Sequence, residues 1–266
     1  MYGAQAGVAH RLDRETSGLI LVAKDKKTQT IFKTLFEKRL VKKEYLALVS
    51  GQTPLEFSVD LPMNSACDEV KTRMRLCPLS EGGKEARTEF KRLCYFSEQD
   101  LLNLSHEMKN AADKNLNLTE TLGNFASFES GFESKFDESK KRQKEFSARK
   151  NSACDESEIQ LGKGFDFSKG ASLLLARPLT GRQHQIRLHL FASGFAILGE
   201  PLYGLEKADI ERILDKQMSA FERVSLTGAT RLCLHSNRLT FEFGGKSYDI
   251  LSQRDIRAEF LRALSL

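Results

Sequence analysis

"HRLDRETSGLILVAK" (His10–Lys24) is the stretch on which the reading of this chain turns. It sets one carboxylate, Asp13, between two guanidiniums, Arg11 and Arg14, then passes the turn pair Ser17-Gly18 into the apolar run Leu19-Ile20-Leu21-Val22-Ala23. A carboxylate among guanidiniums is held in its charged form, which suits a nucleophile rather than an acid; an isolated R-x-D-R reads equally well as a structural ion pair at a turn. The run after Asp13 predicts a buried strand. Behind it, "TQTIFKTLFEKRL" places Ile31, Phe32, Leu35, Phe36 and Leu40 on one helical face. "KEYLALV" then predicts a strand ending at Gly51, and "EARTEFKRLCYF" a strand of alternating character. Strand, helix, strand in this order predicts a mixed α and β domain.

The C-terminal third repeats the theme. "ASLLLARPL" is a continuous apolar strand, and "TGRQHQIRLHLFASG" follows with a turn at Thr180-Gly181, a helix carrying Ile186 and Leu190 on one face, and Gly194 as its C-terminal cap. A further helix is expected around Ile210 to Met218. In "RLCLHSNRLTFEFGGKSYDIL", Leu232, Leu234, Leu239, Phe241 and Phe243 alternate, and Gly244-Gly245 make a hairpin turn. Turn-linked strands at both ends predict an α+β fold with substantial antiparallel sheet.

Between these halves, from Ser97 to Gly170, the chain becomes polar and charged and contains no proline. Phe125, Phe128, Phe132 and Phe136 recur at helical spacing. The expectation is one domain made of residues 1–96 and 171–266 with an inserted helical arm over 97–170. Its mixed-charge run from Lys140 to Lys150 reads as a solvated helix face. The hexapeptide "NSACDE" occurs at Asn64–Glu69 and again at Asn151–Glu156 and is assigned no function.

Lysine and arginine exceed aspartate and glutamate by 41 to 36, a formal charge of +5 that is compatible with a polyanionic partner. No stretch reaches the ~18 apolar residues of a membrane span, and no secretory signal is visible, so the expected address is cytoplasmic. The five cysteines are scattered and never in C-x-x-C spacing, which argues against both a disulfide framework and a zinc knuckle.

Two further constellations carry chemistry. "GRQHQIRLH" gathers Arg182, His184, Gln185, Arg187 and His189 on an expected short helix. If both histidines are helical they point roughly 140° apart, so a metal is not expected. A cationic helix start instead suits phosphate or sugar contacts. Tyr45 reads either as a core tyrosine with a satisfied hydroxyl or as a ring that stacks on a base. No phosphate-binding loop, dinucleotide fingerprint or nucleophile elbow occurs.

Taken together, "HRLDRETSGLILVAK", "KKEYLALV", "GKEARTEFKRL", "LLLARPLTGRQHQIRLHL", "ILGEPLYG" and "LCLHSNRLTF" resemble, in order, the RluA-type pseudouridine synthases. The resemblance implies a largely antiparallel central sheet with flanking helices and a catalytic cleft, and isomerisation of uridine to pseudouridine in RNA with neither metal nor organic cofactor. Ribosomal RNA, 23S above all, would be the first substrate and transfer RNA the second. Asp13 would be the nucleophile, attacking either the ribose C1′ or the uracil ring. Arg187 would hold the Asp13 carboxylate, and Tyr45 would stack on the base and is a candidate for removing the C5 proton. Arg11 would help keep the uridine flipped, while Arg14, Arg182, His184 and Gln185 would contact RNA.

The chain departs from the family pattern in three places. Gly194-Phe195-Ala196-Ile197 stands where Gly-His-Pro-Ile is usual, and Glu200 replaces a usual aspartate, both read as loop-level changes. Further strands normally precede the H-R-L-D block, so an N-terminally shortened domain is expected. The alternative reading is a shortened relative that binds RNA without catalysis.

Overall fold

The computed structural model describes residues 6–66, 73–103, 144–146 and 165–264. Its centre is the apolar run predicted as a strand, β10 (Ala171–Pro178), in which Leu173, Leu174, Leu175 and Ala176 are all buried. A strand buried on both faces needs neighbours on both edges, and β10 has them: β4 (Lys42–Ser50) and β8 (Arg87–Phe96) pair with it antiparallel. The sheet extends through β11 (Leu234–Phe243) and β12 (Lys246–Leu251) beyond β4, and through β5 (Glu56–Asp60) beyond β8, with every one of these pairings antiparallel. The hairpin at Gly244-Gly245 joins β11 to β12 as its turn chemistry predicts.

Helices flank this sheet: α1 (Lys26–Glu37), α2 (Gln185–Ala192), α3 (Lys207–Leu214), α4 (Ala220–Thr227) and α5 (Ile256–Leu264). Ile186 and Leu190 of α2 and Phe260 of α5 join the buried halves of β4 and β10 in the main core. The helix expected around Ile210 to Met218 runs instead from Lys207 to Leu214, and a second helix follows it. A left-handed Lys216 breaks the chain after α3, and the Ser219–Glu222 capping box starts α4. The short strands β6 (Met63–Ser65) and β7 (Met74–Leu76) form a separate ribbon.

The opening stretch folds differently from its predicted single strand. Asp13 to Thr16 close a turn through Thr16 N–H donating to Asp13 C=O at 3.0 Å. Next β2 (Ser17–Gly18) docks parallel on β11, and only Val22–Ala23 (β3) forms a strand again, paired with β1 (Gly7–Val8). Ile20 and Val22 are exposed, whereas Leu19, Leu21, Phe32, Leu35 and Phe36 pack with Leu239 and Phe241 of β11 in a satellite core. An apolar run can thus serve two short docking sites instead of one ladder. Ile31 and Leu40 of the predicted helical face remain exposed.

Gly18 is what lets the loop dock. Its φ is +113°, and a Cβ there would lie 2.2 Å from the carbonyl oxygen of Ser236. Gly18→Ala is expected to cost about 1–3 kcal/mol from backbone strain alone. Denaturant unfolding measures this; an unchanged midpoint would show that the loop docks some other way.

The Phe125–Phe136 stripe lies outside the described residues, as does most of the hexapeptide repeat. Residues 98–103 are helical. Within the expected arm, however, Lys144–Phe146 is strand β9, paired parallel with β5 at the sheet edge. The mixed charge there reads locally as a solvated helix face; an open edge strand supplies backbone partners that outweigh that local preference.

Candidate active site

β4 serves two environments. Its second half, Leu46–Val49, is core, while Lys43 and Tyr45 of its first half face a cavity of about 510 Å³. The Arg11–Asp13 segment, α1 with Lys33 and Phe36, and the turn from Thr180 into α2 close the other sides. The cavity exists because β2 pins the Asp13 loop to β11, beside β4, while β10 delivers the Thr180 turn from the opposite neighbour. Six of the residues singled out from sequence that meet here are Asp13, Tyr45, Arg187, Arg11, Arg182 and His184.

Asp13 and Arg187, 174 positions apart in the chain, are in contact: Arg187 Nη1 lies 3.3 Å from Asp13 Oδ2. Arg187 is 4% exposed, and its remaining edge is gripped by Glu200, with Nε to Oε2 at 2.8 Å and Nη2 to Oε1 at 2.5 Å. Glu200 Oε1 also accepts the Leu202 N–H at 3.0 Å. Burial disfavours charge on Arg187, but the Glu200 carboxylate outweighs it and moves the guanidinium's pKa up. Arg187 is therefore a fixed cation, one end anchored in the protein and the other presented to Asp13. The guanidinium also sits over the Tyr203 ring, 5.6 Å from its centroid.

Glu200 is thus no loop-level change. It is buried and completes the ion pair that fixes Arg187, a role hidden in sequence because nothing local connects a loop carboxylate to a helix arginine thirteen residues earlier. Tyr203 was missed for the same reason.

Arg14 is not in the cavity. As a central residue of the Asp13–Thr16 turn it points away and lines a second depression with Glu15, Lys216 and Arg223. Its neighbour Glu15 is clamped by Arg223, Nη2 to Oε2 at 2.5 Å, and by Leu232 N–H at 3.2 Å. Arg223 also donates to the Gly199 carbonyl at 3.0 Å, so one guanidinium ties the Asp13 loop to the Glu200 loop.

The "GRQHQIRLH" residues do not share one helix. The helix starts only at Gln185, and His184 precedes it with φ +53° in the left-handed region. Gln185 is 3% exposed and all four of its amide's hydrogen bonds stay inside the protein: it accepts from Thr180 Oγ1 and Arg182 N–H and donates to the Arg87 carbonyl and Thr88 Oγ1. The RNA contact expected of it gives way to bracing the Thr180 turn. His189 is spent similarly, between Thr88 Oγ1 and the Leu61 carbonyl. Arg182 reaches the rim, where its Nε donates to the Glu85 carbonyl at 3.0 Å. Lys43, unremarked in sequence, donates to the Thr180 carbonyl at 3.3 Å, and burial and the Arg39 charge lower its pKa.

Burial pushes the Tyr45 phenol up to about 12, with Asp13 adding to the shift, so its hydroxyl is protonated at neutral pH. His184 goes the other way. Burial, then the charges of Arg187 and Arg11 against the opposing pull of Glu200, bring it down to about 4. A histidine depressed below its ordinary value of about 6.5 stabilises the fold fully above that value, and the contribution is lost as pH falls from about 6.5 towards 4, because the unfolded chain takes up the proton first. Between pH 7 and 5 His184 is expected to remove about 1–2 kcal/mol of stability. Denaturant unfolding at both pH values, with His184→Gln flattening the difference, measures it; equal slopes in the two proteins would refute it.

Among the described residues no helix is long and apolar enough to cross a membrane. The sequence profile of the RNA pseudouridylate synthase family matches residues 3–192. An RNA pseudouridine synthase of uncharacterised role from Helicobacter pylori is 28% identical, covering 99% of this chain and 63% of the relative. The dual-specificity RNA pseudouridine synthase RluA of Escherichia coli is 27% identical over 77% of this chain and 60% of its own, and ribosomal large subunit pseudouridine synthase D of Nitrosomonas europaea 26% over 77% and 38%. The chain thus spans less than two thirds of these curated relatives. In structure it is similar to human RNA pseudouridylate synthase domain containing 1, with a TM-score of 0.54, 18% identity, and coverage of 94% of this chain and 69% of that one. The pairing of these motifs on this largely antiparallel α+β sheet, with the profile match over most of the chain, shows that it belongs to the RNA pseudouridylate synthase family, among its RluA-type members.

Proposed function

We propose that this protein isomerises uridine to pseudouridine in RNA, with Asp13 as the nucleophile. The observation that carries the reading is the Asp13 carboxylate, held by a buried, externally anchored Arg187 in a cavity it shares with Tyr45. The reaction breaks the N1–C1′ bond, joins C5 to C1′, removes the proton on C5 and places one on N1. No electrons are gained or lost overall, so a redox cofactor is not required. The Asp13 carboxylate can add to C1′ or to the ring as a nucleophile.

The target base has to leave its stack, at a cost of a few kcal/mol that loop RNA reduces. Tyr45 serves as the stacking platform for the flipped base; a hydroxyl that is protonated at neutral pH suits that role better than that of a resting phenolate base. Exposed Arg11 stands at the cavity mouth to hold the flipped state, and Arg182 at the rim meets phosphate, with Arg14 extending the basic track outside. Ribosomal RNA is the first substrate proposed, because one relative is named a ribosomal large subunit pseudouridine synthase, and transfer RNA is the second, on the family resemblance alone. The workplace is then the cytoplasm.

The test is a pseudouridine map, by carbodiimide adduct and primer extension, of total RNA from cells with and without the gene. At least one gene-dependent site is expected. With no such site the catalytic reading fails and a non-catalytic RNA-binding protein takes its place.

A further inference from the structure

Behind Asp13 lies a buried pair that the reaction as written does not use. The Tyr203 hydroxyl accepts the Met74 N–H at 3.3 Å and lies 3.2 Å from His184 Nδ1. On the other edge of the same ring, His184 Nε2 lies 3.9 Å from Asp13 Oδ2. Both His184 and Tyr203 are buried.

We propose that His184, in its Nε2–H tautomer, is a positioning residue for Asp13, and that Tyr203 sets that tautomer from behind. Two separate observations select the same proton placement. The Tyr203 hydroxyl has its oxygen engaged by Met74 N–H, and the acceptor in reach of its own proton, among the described residues, is His184 Nδ1. A ring nitrogen that accepts at Nδ1 carries its proton on Nε2. On the far side, a lone pair on Nε2 facing a carboxylate would repel it, whereas an N–H attracts it. The distance of 3.9 Å is long for a hydrogen bond, and such contacts tighten when substrate fills a site. Arg187 and His184 then approach Oδ2 from two directions, which leaves Oδ1 as the oxygen turned towards substrate.

The ring is held to this task at some backbone expense. His184 sits at φ +53°, in the left-handed region that few non-glycine residues adopt, and this places its imidazole between Tyr203 and Asp13 instead of along the helix. Tyr203 in turn lies under the Arg187 guanidinium, so both groups that touch Asp13 rest on one ring.

The proposal rests on Asp13 being the nucleophile, and the test separates the two. In the full chain labelled with 15N-histidine, NMR at pH 7 is expected to show His184 protonated on Nε2 and bare on Nδ1, and Tyr203→Phe is expected to move protonation towards Nδ1. For the rate, RNA from cells lacking the gene and grown on 5-tritiated uridine releases tritium as C5 loses its proton, and single turnovers with excess enzyme read chemistry apart from binding. Asparagine tolerates the left-handed backbone better than glutamine but its amide reaches only the Nδ1 position, whereas that of glutamine reaches the Nε2 position. His184→Gln is expected to turn over at least about ten-fold faster than His184→Asn, as a misdirected reacting group would require. A merely structural role reverses that order, so equal rates, or a faster His184→Asn, overturn the proposal. So does a wild-type spectrum protonated on Nδ1, or one that Tyr203→Phe leaves unmoved. Loss of all tritium release from the wild type would count against the functional reading, while the spectra would still decide the tautomer.

Discussion

Asp13→Ala is expected to fold, bind RNA and form no pseudouridine. If Asp13 is the nucleophile as proposed, its removal lowers the rate by about 10⁴-fold or more, because no neighbouring group can take over bond formation to the target. Cells carrying only this variant should match gene-deleted cells at every gene-dependent position of the pseudouridine map. The fold should survive because Arg187 keeps both hydrogen bonds to Glu200 when Asp13 is gone, so no buried charge is left alone. A stability change within about 1 kcal/mol is the expected companion result. A site still modified by Asp13→Ala would sink the nucleophile assignment, and a collapse in stability would instead make Asp13 a structural partner of Arg187.

Glu200→Ala should show the opposite balance, with stability hit first. It leaves the Arg187 guanidinium, 4% exposed, with a single contact to Asp13 on one nitrogen. Stranding a buried charge in this way costs about 3–5 kcal/mol, and Leu202 N–H loses its acceptor as well. Activity is expected to fall too, since an Arg187 without its anchor can swing towards Asp13 and bury the carboxylate it should present. Glu200→Asp keeps the charge and should recover much of both losses. Thermal or denaturant unfolding of the two variants tests this, and a Glu200→Ala protein as stable as wild type would show that the ion pair contributes nothing.

How far the chain was legible follows from the range of each signal. β10 and α2 were readable because their cues are local: a continuous apolar run, then Ile186 and Leu190 four apart with Gly194 behind them. The Asp13 stretch was legible as a motif but not as a shape. Its apolar run looks like one strand, yet Ser17-Gly18 dock on β11, far along the chain, just before the run, and only Val22–Ala23 at its end form a strand. Strand pairing depends on neighbours that sequence distance conceals. Likewise β9 reads as a solvated helix face in sequence, since the edge residues it pairs with lie 87 positions away.

Sequence alone determined the family and the α+β class and pointed to Asp13 as the carboxylate of the proposed site, because motifs such as H-R-L-D-R and T-G-R-Q-H-Q-I-R are short and contiguous. The resemblance also names Arg187 as its partner; only the tertiary structure decided how that partner is held and where the flanking arginines go. Arg11 and Arg14 flank Asp13 in the chain, but the turn at Asp13–Thr16 sends Arg14 outward, and the guanidinium that reaches the carboxylate is Arg187, held by Glu200. Charge interactions fall off with distance in space, and adjacency along a turning backbone does not fix that distance.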